Sequence, residues 1–285
     1  MFVCEPLAPS GGIVLLHGPS ESGKTQLAMT FAKAVLEGGT FMNQFPCRPG
    51  RVLLVEADTP ILLIQERLRK LPLLMEAKQR FCVLADESKS FNILSQSVSP
   101  DPEMVRAQAF APDVVIFDSL RDMHGLDENS SMAPRLVYGA IRRLFATQTL
   151  VVVAHDRKKP TQGTRHPDEE TSGHAAWRNA SDISWHLERW YNHKEPFEHY
   201  ATFRSSKTRW SARAPTVRLK MDEETLLMIP TELSPAQLAD AWVREEGWLT
   251  ERQVVERLLE GQKCSRATAY RIAKKAVSSE KAEAK

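Results

Sequence analysis

The stretch Gly18-Pro19-Ser20-Glu21-Ser22-Gly23-Lys24-Thr25 is where residue types and spacing promise chemistry most directly. Glycines at 18 and 23 let the backbone curl until its N–H groups converge, and converged N–H groups hold anions. The stretch follows an apolar run, residues 13–17, and opens a segment of helical spacing, residues 24–36. A helix N-terminus there adds partial positive charge to the loop. Lys24 is then placed to reach the β- and γ-phosphates of a nucleotide, and the Thr25 hydroxyl to ligate Mg²⁺. Gln26 completes the expected nucleotide-contacting stretch. ATP and Mg²⁺ are the expected cofactors.

Acids at strand ends complement this loop. Asp118 closes the apolar strand 113–118, the place from which an aspartate holds Mg²⁺ through its water shell. Hydrolysis also needs a base or a water-orienting carboxylate. Glu56 and Asp58 follow the second strand, 52–55; Glu56 has the longer reach and Asp58 lies one strand period further on. His155 closes strand 149–154, and ligands of open α/β sheets bind at such carboxyl ends. A structural role would account for His155 equally well.

The elements that must position these residues alternate. Strands at 13–17, 52–55, 81–84, 113–118 and 149–154 are interleaved with helices at 24–36, 61–71 and 135–145. That rhythm implies right-handed crossovers and an α/β fold built on a doubly wound, mostly parallel sheet. The first runs are uniformly apolar, as strands buried on both faces are. Residues 156–171 form a long polar loop. Strands at 183–187, 200–204, 217–221 and 226–229 are expected to extend the sheet in antiparallel fashion. A break near 231–235 precedes three helices, 235–246, 251–260 and 266–277, which divides the chain into 1–230 and 231–285.

Bulk properties exclude several classes. The chain has 285 residues, 42% of them hydrophobic and 26% charged, as in ordinary globular domains. No apolar run is long enough to cross a bilayer, and no partner membrane is expected. The N-terminus lacks the pattern of a signal peptide. Four scattered cysteines show neither metal-ligand spacing nor a disulfide framework, which points to a reducing, cytoplasmic setting. Net charge is only +2, but cations gather at Arg157-Lys158-Lys159, at 204–213 and at 266–275.

Taken together over about residues 10–230, these motifs resemble the RecA-like hexameric ATPases, in particular the plasmid replicative helicases of the RepA type and their DnaB relatives. Glu56-Ala57-Asp58, with Arg67 and Leu68 downstream, resembles the segment carrying that family's catalytic glutamate. Register counted from Arg67 puts Asp58 at that place, where the family has Glu, so either acid can hold the role. Residues 113–123 resemble the strand that carries the family's metal-binding aspartate. Residues 151–155 resemble the strand whose terminal side chain senses the γ-phosphate, and Asp127 to Ser130 the RepA stretch after Asp118. Arg157, Lys158 and Lys159 stand where the family's DNA-binding loop faces a central channel. Lys207 and Arg209 resemble the Lys-x-Arg element that reaches a neighbouring subunit's site, although a basic strand edge that deters aggregation is the alternative. The resemblance implies single-stranded DNA as partner and a homo-oligomer, a hexameric ring.

At the C-terminus, 249–259 and 265–276 are spaced like a helix-turn-helix, with Thr250 and Ser265 as caps. Arg266, Arg271 and Lys274 would then face duplex DNA. A protein-docking module is the alternative. The function expected is an ATP-hydrolysing DNA motor, a hexameric replicative helicase of a plasmid, phage or mobile element. A nucleotide-switched DNA-binding regulator or adaptor, and a RecA-like recombination or repair ATPase, are the other readings.

Overall fold

The structure, a computed structural model, describes residues 1–57, 59–85, 91–127, 130–156, 175–190, 199–209, 213–231, 236, 238–239, 242–243, 249–260 and 264–283. Asp58 and Arg157-Lys158-Lys159, all named above, lie outside the described residues, as do Glu128 and Asn129.

A short hairpin, β1 (Phe2–Cys4) with β2 (Ala8–Pro9), precedes β3 (Ile13–Gly18), α1 (Lys24–Glu37) and a second hairpin, β4 (Thr40–Phe41) with β5 (Phe45–Pro46). Next come β6 (Val52–Glu56), α2 (Ile61–Lys70), α3 (Met75–Lys78), β7 (Phe81–Ala85), α4 (Ile93–Gln96), α5 (Pro102–Ala109) and β8 (Val114–Asp118). Then follow α6 (Ala133–Leu144), β9 (Thr149–His155), α7 (Ala175–Ala180), β10 (Ile183–Trp190), β11 (Tyr200–Thr208), β12 (Val217–Met221) and β13 (Met228–Pro230). Among the described residues, the main sheet has nine strands in the order β13-β12-β11-β10-β3-β9-β8-β6-β7.

The pairs from β10 through β7 are parallel, and β11, β12 and β13 pair antiparallel. One expectation is corrected here: β10 does not join the antiparallel extension. It lies parallel to β3, with His186 opposite His17. A parallel neighbour needs a crossover that returns the chain to its starting end. Between β9 and β10 the described residues include α7, whose six residues are too few to show a helical period in sequence.

Strand alternation sorts the sheet into two cores. Val14 and Leu16 pack with Val52, Leu54, Val114, Ile116, Val151 and Val153 on the face covered by α1. Ile13 and Leu15 pack with Leu53, Val55, Val115, Phe117, Leu150 and Val152 on the face covered by α6 and Trp177. Around Trp185 the α1 core is aromatic: Phe31, Phe41 and Phe203 sit 5.2–5.9 Å from its ring. Its indole N–H donates to Leu7 O at 3.1 Å. Cys4 and Cys47 meet across an isolated antiparallel bridge, a pairing that their separation in sequence hides; both are buried free thiols. At the sheet edge, Met228 N donates to Thr30 Oγ1 at 2.9 Å, and the same hydroxyl donates to Gln26 O at 2.8 Å.

The chain divides into two compact units, Met1–Arg189 with His199–Pro230, and Trp190–Glu198 with Thr231–Lys285. The second unit has its own core, built from Val254, Leu258, Ala269 and Ala273 among others, with Trp242 packed against it. Its helices Glu251–Glu260 and Arg266–Glu283 start on caps. Thr250 N donates to Gln253 Oε1 at 2.9 Å, and Gln253 N returns a bond to Thr250 Oγ1 at 3.4 Å, a capping box. Ser265 Oγ accepts from Thr268 N at 3.4 Å. The last helix runs further than the expected 266–277.

Candidate functional site

β3 ends at Gly18, and the loop from Pro19 to Gly23 hands the chain to α1 at Lys24. Two glycines are required by geometry. A Cβ on Gly18 would fall 2.0 Å from Leu187 O on β10, and Gly23 turns into the helix at φ 90°. Ser22 is fully buried, while Ser20 and Glu21 are exposed. Arg189 NH1 lies 3.6 Å from Glu21 Oε2.

Lys24 is 5% exposed and folds back over its own loop, donating to Gly18 O at 3.0 Å and Pro19 O at 2.6 Å. Burial pulls its pKa down to about 8, against the opposing fields of Asp118 and Asp156. The ammonium is thus held against two carbonyls of its own loop, where phosphate oxygens would be stronger partners. Thr25 and Gln26, in the first turn of α1, are half-buried.

Glu56 and Asp118 end neighbouring strands as Cα partners, and Ala57 N donates to Asp118 O at 3.0 Å. Both acids are buried, at 3% and 5% exposure. Alternation places both on the α1 face, continuing Val52-Leu54 and Val114-Ile116. Glu56 Oε1 accepts from Thr59 N at 3.2 Å. Glu56, Thr25 and Arg67 line one pocket, with Met29, Leu54, Ile64 and Leu68. A second small pocket beside it is lined by Thr25, Gln26, Arg67 and Leu226 among others. Asp118 is followed by a cis peptide to Ser119, whose hydroxyl donates to Asp122. The Thr25 hydroxyl and the Asp118 carboxylate are hard oxygen donors, as Mg²⁺ requires.

His155 pairs in register with Gly18, and its Nδ1 lies 3.5 Å from Ser20 Oγ. The structure therefore gathers the loop, Glu56, Asp118 and His155 at one end of the sheet. Lys207 and Arg209 are elsewhere. Lys207 Nζ donates to Arg178 O at 2.6 Å, Asn179 O at 3.0 Å and Ser181 O at 2.5 Å. Arg209 donates to Asn179 O at 2.7 Å and meets Asp182 at 3.4 Å. Both cations cap the carboxyl end of α7, beside the start of β10 and at the opposite end of the strands from the loop. Burial, with Arg209 nearby, lowers the Lys207 pKa to about 8.

Residues that sequence reasoning did not single out stand next to the loop. His199 Nε2 would come within 3.0 Å of a Cβ on Gly23, and burial lowers the His199 pKa. His17, Asp156 and His186 form a buried cluster: His17 Nδ1 is 2.9 Å from Asp156 Oδ1, and His186 Nε2 is 3.3 Å from Asp156 Oδ2. Burial lowers the His17 pKa. At Asp156 burial acts upward, but His17 and His186 outweigh it and hold the carboxyl at about 2. The adjacency of His17 to Gly18 and of Asp156 to His155 was readable in sequence. The arrival of His186 and His199 required the strand order.

A family profile described as an AAA domain (AAA_25) matches residues 2–161. The chain belongs to this family. It is a family of RecA-like P-loop ATPases, and the loop, Lys24, Thr25 and Asp118 of the AAA domain all lie within the matched span. No curated protein matches the sequence. Among solved structures, the AAA-domain chain resembles a KaiC-like protein of the hyperthermophilic archaeon Pyrococcus horikoshii OT3, at TM-score 0.53 and 13% identity, covering 80% of this chain and 94% of that one. It also resembles the flagellar accessory protein FlaH of Methanocaldococcus jannaschii, at TM-score 0.54 and 12% identity, covering 79% and 92%. At such identities the likeness is one of fold, and it establishes the RecA-like α/β architecture. Among the described residues, no helix of this AAA-domain protein is long and apolar enough to cross a membrane.

Proposed function

We propose that this AAA-domain ATPase is an ATP-hydrolysing motor acting on DNA, of the replicative-helicase kind used by plasmids, phages or other mobile elements. The observation that carries the hydrolytic half is the position of Glu56. It is buried, stands in register with Asp118 and lines a pocket with Thr25. A carboxylate so held can orient a water towards the γ-phosphate and accept its proton. Thr25 and Asp118 would hold Mg²⁺, which supplies charge neutralisation at the phosphates. Lys24 would exchange its two carbonyl partners for phosphate oxygens, and His155, next to Ser20, would report the state of the loop.

The DNA half is supported by the second unit. Arg266, Tyr270, Arg271 and Lys274 are exposed on the helix Arg266–Glu283, while Ala269 and Ala273 face its core. Four-residue spacing puts Arg266, Tyr270 and Lys274 along one stripe, with Arg271 beside it, suited to a phosphate backbone. Arg157, Lys158 and Lys159 are proposed as channel contacts to single-stranded DNA, and a homo-hexameric ring as the working assembly. That self-contained basic helix also favours a second reading, a nucleotide-switched regulator sitting on duplex DNA.

The deciding experiment is steady-state ATP turnover with and without single-stranded DNA, on a sample whose mass is measured in the same buffer. Strong stimulation in a ring-sized assembly supports the motor. A monomer or dimer with negligible, DNA-independent turnover overturns it in favour of the switch.

A further inference from the structure

Alternation along the strands separates two sets of polar residues at the same end of the sheet. Glu56, Asp118 and His155 continue the α1 face, as Leu54, Ile116 and Val153 show. His17, Asp156 and His186 continue the other face: Leu15 precedes His17 by one strand period, and Ala154 precedes Asp156. The second set therefore lies on the face of the sheet opposite Glu56, Asp118 and His155, although Asp156 is near enough to Lys24 to act on its charge.

These three residues come from three adjacent parallel strands. His17 and His186 are Cα partners on β3 and β10, with ring centroids 4.9 Å apart. Asp156 follows β9, and its N–H donates to Gly18 O at 3.0 Å. Side-chain exposure is 1% for His17 and 3% for both Asp156 and His186. A carboxylate taken out of water at such a place costs several kcal/mol unless its lone pairs are met. Here they are met incompletely. His17 Nδ1 satisfies Asp156 Oδ1, but the 3.3 Å approach of His186 Nε2 to Oδ2 lacks the angle of a hydrogen bond. His17 Nε2, His186 Nε2 and Asp156 Oδ2 are buried without a hydrogen-bond partner among the described residues. Each neutral imidazole has one N–H and one lone pair, so two lone pairs and a carboxylate oxygen compete for too few protons.

One ligand atom from each residue lies within 4.8 Å of the other two. Metal–ligand bonds of about 2.0–2.1 Å in a tetrahedron imply ligand–ligand edges of about 3.3 Å. The 3.3 Å approach of His186 Nε2 to Asp156 Oδ2 is of that size. Two imidazoles and one carboxylate suit zinc and exclude Mg²⁺, which asks for an octahedron of oxygens.

We propose that His17, Asp156 and His186 bind one divalent transition-metal ion, zinc in preference, on the face of the sheet opposite the nucleotide pocket. The ion would tie the carboxyl ends of β10, β3 and β9 together. Because His17 precedes Gly18 and Asp156 N–H holds the Gly18 carbonyl, it would also fix the strand from which the phosphate loop springs. The role is structural and independent of the nucleotide's Mg²⁺.

The full chain, without an affinity tag and without nucleotide, is stripped with a chelator and titrated with zinc chloride or cobalt chloride alone. Expected are one ion per chain, a visible absorption typical of four-coordinate cobalt, and a higher melting temperature with zinc. His186→Gln and Asp156→Asn should each weaken binding by roughly a hundredfold or more, exceeding what loss of an outer-shell partner does. A Cys4→Ser/Cys47→Ser variant should bind as the parent does, which separates this site from the buried thiol pair. The proposal is overturned if the parent chain takes up no stoichiometric metal, or if uptake persists undiminished in folded His186→Gln or Asp156→Asn. If both variants fail to fold, paramagnetically shifted histidine ring protons in the cobalt-loaded parent decide, and their absence overturns the proposal.

Discussion

Glu56 and Asp118 leave β6 and β8 as register partners, so two buried carboxylates stand side by side on one face of the sheet. Only one of them needs to serve the metal. The other is available for water. Glu56→Gln should therefore lower ATP turnover by about two to four orders of magnitude, the usual worth of a general base, while nucleotide affinity is kept. Single-turnover kinetics beside fluorescent-nucleotide binding checks this. Asp58→Asn is the companion measurement, and a larger loss there would move the role two residues downstream.

Lys24 is 5% exposed and, among the described residues, hydrogen-bonds only to its own loop's carbonyls. Lys24→Ala should weaken nucleotide binding by roughly two orders of magnitude, because a charge-assisted contact to phosphate is removed from a desolvated place. Asp118→Asn should leave metal-free nucleotide binding nearly unchanged and remove its enhancement by Mg²⁺. Calorimetric titrations with and without Mg²⁺ distinguish the two.

Lys207 illustrates how a residue can matter to turnover without touching phosphate. Its ammonium donates to three carbonyls at the end of α7, and Lys207→Met would leave them short of a partner. The expected loss is about 1–3 kcal/mol, or roughly 2–4 °C in melting temperature per kcal/mol. Arg209→Ala should show a smaller loss. Action in trans has a separate signature: mixtures of Arg209→Ala and Lys24→Ala chains should regain activity above the sum of the two, and strictly additive activity counts against a shared site.

His199 supplies a pH dependence. Burial depresses its pKa below 6.5, so the native state holds it neutral where the unfolded chain would already bind a proton. Stability contributed this way is present above pH 6.5 and is lost as pH falls below it. Nucleotide-free protein should melt earlier as pH drops from 6.5, and His199→Gln should flatten that slope. A thermal-melt series across pH measures both.

The loop Gly18 to Thr25 was legible because its requirements are local: glycines, a preceding strand and a following helix. The same holds for β6, β8 and β9, whose double-sided burial writes continuous apolar runs. What could not be read depended on strand order. Nothing near Ile183 says that β10 returns parallel beside β3, and without that placement His186 has no reason to meet His17. Lys207 and Arg209 were recognisable as a basic pair, but their engagement with α7 was invisible because a six-residue helix is too short to show a period of 3.6. The Cys4–Cys47 neighbourhood was hidden in the same way, by a contact between two short segments of weak pattern.

Thr30 gives the edge of the sheet a mechanical meaning. Its hydroxyl donates to Gln26 O, one residue past Thr25, and accepts from Met228 N on β13. The strand that leads to residue 231 is thus riveted to the helix bearing the phosphate-binding residues. A pull on the chain beyond Pro230 would load that rivet first, and a tilt of α1 would tug on the outgoing strand by the same route.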